Sequence, residues 1–274
     1  MSQQINIGMI GVGRWGKNLL RVFNEISNVK TCSKRNYYND ILVDELINTV
    51  VIAAPIKELF KISSESLDMG KHVFVEKPMC QTLDEANKLF NFKKDRILFV
   101  GYLHLYNPIF NEIKKIIIKD PPILVEMSWT KYGTFDNDIV LNLVSHELSI
   151  LLGLFDSCEI IDFDKNVDDI KISLVLNGDI GASVFVDRNQ INKKKSMLLV
   201  TKSGRVVYWV GNVLLEFNKT TKCYETIFDS VKDVLYEECK EFINCIENKK
   251  EPITNIDLGV RVLKVIETLQ LPTV

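Results

Sequence analysis

No apolar run in this chain approaches the ~18 residues that a membrane-spanning helix needs, so no membrane span is expected. No cysteine pair has C-x-x-C spacing: Cys32, Cys80, Cys158, Cys223, Cys239 and Cys245 are scattered along 274 residues. That scatter argues against a metal site or a disulfide framework, and for reduced thiols in a cytoplasmic protein. Neither sign of charge is in excess. The 34 Lys and Arg against 36 Asp and Glu leave a formal net charge of -2 and a pI near 6.0, which gives no footprint for nucleic acid. The two short basic runs, KKK at 193 to 195 and KKDR at 93 to 96, read as solvated loop or helix ends. The polar opening MSQQ passes at once into a strand pattern, unlike a secretory leader. No internal repeat or low-complexity segment is visible.

Hydrophobic residues make up 46% of the chain and charged residues 26%, enough for a sizeable core in two domains. Through about residue 104 strand and helix patterns alternate. Apolar runs at 49 to 55 (TVVIAAP), 73 to 78 (VFVEKP) and 97 to 101 (ILFVG) suit strands buried on both faces. Helical patterns lie between them: one ends at Gly70, and one opens with Thr82 and Glu85 spaced as a capping box. This alternation predicts an α/β fold with a Rossmann-type parallel sheet at residues 1–104. Residues 105–274 read as an α+β domain with a mostly antiparallel sheet. Asn107 and Pro108 start a helix, a long helix runs from about Ile139 to Phe155, strand-like runs follow, a hairpin turns at Ser203-Gly204, and two helices close the chain. No flexible linker separates the halves, so a cleft between them is expected. His72, just before a strand, reads as a surface turn residue.

The most informative segment is INIGMIGVGRWG, residues 5 to 16. Ile5, Ile7 and Met9 alternate as a strand, and the run ends in Gly11, Gly13 and Gly16, the G-x-G-x-x-G pattern of a dinucleotide-binding turn. Gly11 permits the tight turn, Gly13 lets a pyrophosphate approach the backbone, and Gly16 lets the helix pack on the strand. The helix N-terminus then faces the phosphates. Val12, Arg14 and Trp15 complete the loop; Trp15 either leans on the cofactor or packs. Ala54 and Pro55, at the end of a neighbouring strand, join the cofactor-binding candidates.

NAD-binding sites place an acid about 20 residues after the glycines. VKTCSKRN has none there; Ser33, Lys34 and Arg35 suit the 2′-phosphate of NADP. The alternative is a plain basic turn, with Asp40 reaching in to bind NAD. Glu76-Lys77-Pro78 ends a buried strand at the ligand edge. Lys77 there is either a partly desolvated hydrogen-bond or proton donor, or one half of a solvated charge pair. Pro78 is a candidate cis residue.

The glycine pattern, GKHVFVEKPM at 70 to 79, VGYLHLYNPIFNEIKK at 100 to 115 and NLVSHELSILLGLF at 142 to 155 together resemble the Gfo/Idh/MocA family of oxidoreductases. The likeness recurs weakly toward the C-terminus and so covers nearly the whole chain. The resemblance implies that Lys77 hydrogen-bonds the reacting oxygen and that His146 is the acid/base. It puts Asn142, one turn before His146, where most members carry aspartate; the shared helix face is kept, the charge is not. Glu76 joins the cofactor side. His104, Tyr106 and Asn107 are candidate substrate contacts, although His104 reads equally as packing, and Tyr106, like Tyr102, Trp129 and Trp209, as a core aromatic. The expected activity is hydride transfer at a ring carbon of a sugar or sugar nucleotide, with NADP, or NAD as the alternative, in a homodimer or homotetramer. Asn142 and the short stretch between the glycines and VVIAAP motivate another reading, a dinucleotide-sensing regulator, and reduction of a non-sugar carbonyl or imine is a third.

Overall fold

The structure is a computed structural model that describes residues 4–33, 37–135 and 138–270. The chain begins β1 (Asn6–Ile10), α1 (Gly16–Ile26), β2 (Asn28–Ser33), α2 (Asn39–Val43), β3 (Thr49–Ile52), α3 (Ile56–Asp68), β4 (His72–Glu76), α4 (Leu83–Lys93) and β5 (Leu98–Gly101). It continues through α5 (Pro108–Lys119), β6 (Pro122–Tyr132), α6 (Ser145–Leu154), β7 (Cys158–Lys165), β8 (Asp169–Leu176), β9 (Ile180–Asp187) and β10 (Asn189–Thr201). It closes with β11 (Val206–Val210), β12 (Val213–Asn218), β13 (Cys223–Asp229), α7 (Val234–Glu247) and α8 (Ile256–Thr268). Contacts divide it into two units: Met1–Tyr106 with Asp233–Lys264, and Asn107–Lys232 with Val265–Val274.

In the first unit, the described residues form a five-stranded parallel sheet in the order β2-β1-β3-β4-β5. This is a doubly wound order whose direction of growth reverses between β1 and β3, the point where such sheets bind ligands. Among the described residues the crossover from β2 to β3 holds one helix, the five-residue α2. Fully buried runs in β3 and β5 fit a sheet covered on both faces. Phe23 of α1, Phe74 of β4, Phe99 of β5 and Phe242 of α7 form one aromatic cluster with centroid separations of 5.1 to 6.1 Å. Each edge-to-face or stacked pair adds about 0.5–1.5 kcal/mol to the burial of the rings. Phe242 brings a late segment of sequence into the core of the first unit. Two local expectations hold in the structure: Gly70 has a φ of +71° after α3, and Thr82 with Glu85 makes a reciprocal capping box on α4.

His72 departs from its expected place in a surface turn. It opens β4, half-buried, and Nδ1 accepts the Ile97 N–H at 3.0 Å. Burial, and then the Arg96 charge, push its pKa down to about 4. An imidazole buried as a backbone acceptor is held neutral.

In the second unit, the described residues form an eight-stranded sheet, ordered β13-β12-β11-β10-β6-β9-β8-β7. Only β6 with β9 is parallel; the other neighbours are antiparallel. The sheet extends past the apolar runs. β10 starts at Asn189, so KKK at 193 to 195 lies within a strand rather than in a loop. Lys195 shares a face with the buried Met197 and Leu199, and alternation along the strand turns it inward. The helix expected from Ile139 to Phe155 is also divided, into a π-helical turn over Val140–Val144 followed by α6. Ser145 is the local cause: its hydroxyl donates to the Leu141 carbonyl at 2.7 Å, while its own N–H reaches back to Val140.

Candidate active site

Parallel strands bring the candidates of the first unit to one edge. The glycine loop follows β1, Ser33 ends β2, Ala54 and Pro55 follow β3, and Glu76 and Lys77 end β4. Gly11 has a φ of +90°, and its N–H donates to the Ser33 carbonyl at 2.9 Å, tying the loop to the end of β2. A Cβ on Gly11 would lie 2.3 Å from the Ala53 carbonyl oxygen, and one on Gly16 would lie 2.0 Å from the Gly11 carbonyl oxygen. Those two glycines are demanded by protein packing. Gly13 differs: a Cβ there would meet nothing within 4 Å. Its bare backbone faces open space at the start of α1, a helix with no side-chain cap and no acid in its first turn. Free N–H groups and an uncompensated dipole end fit a pyrophosphate.

Two further groups line this edge. The Trp15 indole, 40% exposed in the glycine loop, donates to Glu76 Oε1 at 2.5 Å. Burial pushes the Glu76 carboxyl up to about 7, against the pull of the Trp15 hydrogen bond and the Lys77 charge. The Glu76-Lys77-Pro78 element is thereby fastened to the glycine loop, and the Lys77–Pro78 peptide is cis. The Ser33 hydroxyl donates to the Tyr37 carbonyl; Lys34 and Arg35 lie outside the described residues. Beyond β5, His104 is half-buried in a 3-10 turn, Leu103–Tyr106. Tyr106 stacks on Phe99 at 5.3 Å, and its hydroxyl is 2.8 Å from that of Thr254.

The second unit holds the other candidates. Asn142 lies in the π turn and His146 in the first turn of α6. The His146 ring meets the Trp129 indole at 4.9 Å and 70°. Glu147, wholly buried, pairs with Lys195. Burial raises the Glu147 pKa and lowers that of Lys195, in each case opposing their mutual attraction. Asn107 is buried, and its Oδ1 accepts the Ile109 N–H, capping α5.

Sequence reading missed Lys195 and Glu147 here and Glu238 in the first unit. Glu238 on α7 is 1% exposed with no partner for either oxygen. Strand alternation from Met197 would have turned Lys195 inward, whereas nothing local marks Glu147 or Glu238.

Residues 25–102 match the family model Gfo/Idh/MocA, described as an oxidoreductase family with an NAD-binding Rossmann fold. Within that stretch the chain is similar to this family. Among curated relatives, the oxidoreductase YrbE of Bacillus subtilis is 30% identical over 139 residues, which are 43% of this chain and 41% of that protein. A UDP-N-acetylglucosamine 3-dehydrogenase of Acidithiobacillus ferrooxidans is 23% identical over 167 residues, 54% of this chain and 53% of that one. The matched stretches thus span about half or less of these relatives. Solved structures extend the likeness of fold to nearly the full chain. The A. ferrooxidans enzyme superposes with a TM-score of 0.86 at 19% identity, covering 97% of this chain and 96% of that one. Levoglucosan dehydrogenase superposes with a TM-score of 0.84 at 12% identity, covering 98% and 96%. The parallel sheet joined to a mostly antiparallel one is the fold of these dehydrogenases, and the family that residues 25–102 match is described by its NAD-binding Rossmann fold. Among the described residues no helix is long and apolar enough to cross a membrane.

Proposed function

We propose that this chain is an NADP-dependent oxidoreductase acting on a CH–OH carbon of a sugar or nucleotide sugar. The observation that carries the reading is the Trp15–Glu76 hydrogen bond, which ties the element bearing Lys77 to the glycine loop at the ligand edge of the sheet. The sugar class rests on the relatives: a UDP-N-acetylglucosamine 3-dehydrogenase and inositol 2-dehydrogenases among the curated proteins, a levoglucosan dehydrogenase among the structures. The choice of NADP rests on Ser33 at the end of β2 and on Lys34 and Arg35, which follow it in the sequence where NAD-binding chains carry an acid.

Hydride chemistry would come from the bound dinucleotide. The chain then has three tasks. Gly11 to Gly16 and the start of α1 hold the pyrophosphate. Lys77 donates to the reacting oxygen and stabilises the negative charge that grows on it. His146 takes or returns the hydroxyl proton, a role suited to imidazole near neutral pH. Asn142, one turn away, orients its surroundings through hydrogen bonds without adding a charge.

Absorbance at ~340 nm, followed with NADPH or NADH and a panel of nucleotide sugars, tests this reading. Turnover is expected, with a preference for the phosphorylated cofactor. Lys77→Met and His146→Gln are each expected to lower it about 10²–10⁴-fold while dinucleotide affinity stays within a few-fold. Asn142 in place of a carboxylate favours a second reading, a dinucleotide-sensing binding protein. Tight cofactor binding without turnover across the panel would select that one and remove the enzyme.

A further inference from the structure

The second unit contains a charged pair that the proposed chemistry does not use, packed around the helix that carries His146. Lys195 stands directly opposite Trp129 across the β10–β6 ladder. Its ammonium lies 4.1 Å from the centroid of the Trp129 ring, inside cation–π range. Lys131, two residues along β6, approaches the same ring less closely, at 5.9 Å. The counter-charge of Lys195 is Glu147, 0% exposed and adjacent to His146 on α6. The Trp129 ring in turn meets His146 nearly edge to face.

A buried ion pair is an expensive way to fill space. Apolar side chains of similar volume often leave a protein equally or more stable. Its value here is geometric. An ammonium over an indole face favours one plane for the indole, and a perpendicular aromatic neighbour favours one plane for the imidazole. Because Glu147 and His146 are consecutive on one helix, the same pair anchors both the indole and the helix turn.

We propose that Lys195 is a positioning residue for His146: anchored by Glu147, it fixes the Trp129 indole, the indole fixes the plane of the imidazole, and the plane fixes the surroundings of each ring nitrogen, which select the tautomer. The proposal rests on the reading of His146 as the acid/base, and its test reads the ring itself.

Nuclear magnetic resonance of the full chain labelled with ¹⁵N-histidine is tractable because the sequence has only three histidines. His146→Gln assigns the His146 signals. The unsubstituted protein is expected to show one neutral tautomer for His146. Lys195→Met combined with Glu147→Gln leaves no unpaired buried charge and is expected to give tautomer-averaged signals. Lys195→Arg, which keeps both cation and pair, is expected to restore the single tautomer. Trp129→Leu, which removes the plate but leaves the ion pair, is expected to average the signals as the double change does and covers the case in which the double change unfolds. A single, unchanged His146 tautomer in Trp129→Leu, or in a folded Lys195→Met/Glu147→Gln protein, overturns the proposal. Neither cofactor nor sugar is present, so failure to find turnover sinks the proposed function without imitating either result.

Discussion

Replacing Glu238 by methionine is expected to stabilise the protein, and to do so more strongly as pH rises. Glu238 is 1% exposed, and neither carboxyl oxygen has a hydrogen-bond partner. Burial, with a smaller push from the Glu76 carboxylate, lifts its pKa well above 4.5. The folded state therefore keeps a proton that the unfolded chain releases near pH ~4.3. The stability from this group is complete below that pH and is lost as pH climbs toward the folded value, at about 1.4 kcal/mol per pH unit. Over the two pH units from about 5 to about 7 that slope amounts to at most about 2.8 kcal/mol. Methionine has a similar length and carries no proton, so the variant escapes this slope. It also removes a buried, unsatisfied polar group, a gain of about 1 kcal/mol even at the lower pH. Urea unfolding at the two pH values, with the m-value checked for constancy, measures the difference. The variant is expected to lead by about 1–2 kcal/mol at the lower pH and by up to about 2.8 kcal/mol more at the higher one. An advantage that stays level, or a variant weaker than the parent at both, would refute the argument by showing that the carboxyl is paired or hydrated.

The three loop glycines are expected to separate by assay. Gly16→Ala drives a Cβ to within 2.0 Å of the Gly11 carbonyl oxygen and is expected to cost about 2–3 kcal/mol, read as a lowered melting temperature. Gly13→Val finds open space in the protein, so it is expected to melt as the parent does yet bind NADPH at least ~10-fold more weakly in a tryptophan-quenching titration. Parent-like binding by Gly13→Val contradicts the pyrophosphate placement. Thr82→Ala removes the hydroxyl that accepts the Glu85 N–H at 3.2 Å and is expected to lower stability by about 1 kcal/mol in chemical denaturation.

Features legible in the sequence share a short range. The glycine turn, the Thr82–Glu85 capping box, the Asn107–Pro108 helix start and the turn at Gly204 each depend on groups a few residues apart. Buried parallel strands announced themselves as continuous apolar runs, and from that alternation the Rossmann half of the fold followed. The weaker features were those with no local pattern. β7 and β13 carry mixed, largely exposed side chains and are strands because a neighbouring strand offers a ladder. The π turn before α6 depends on one hydroxyl taking a carbonyl from the backbone.

The sequence alone determined where the glycine turn is built, because backbone freedom and close approach belong to the residues themselves. It also marked Lys77 at the end of a buried strand, where strand period and the following proline are local facts. Only the tertiary structure decided that Trp15 closes on Glu76 across 61 positions, that Lys195 faces Glu147 across 48, and that α7 packs beside the first helix. Those choices depend on which surfaces lose water together, a property of the folded chain that no short window of residues contains.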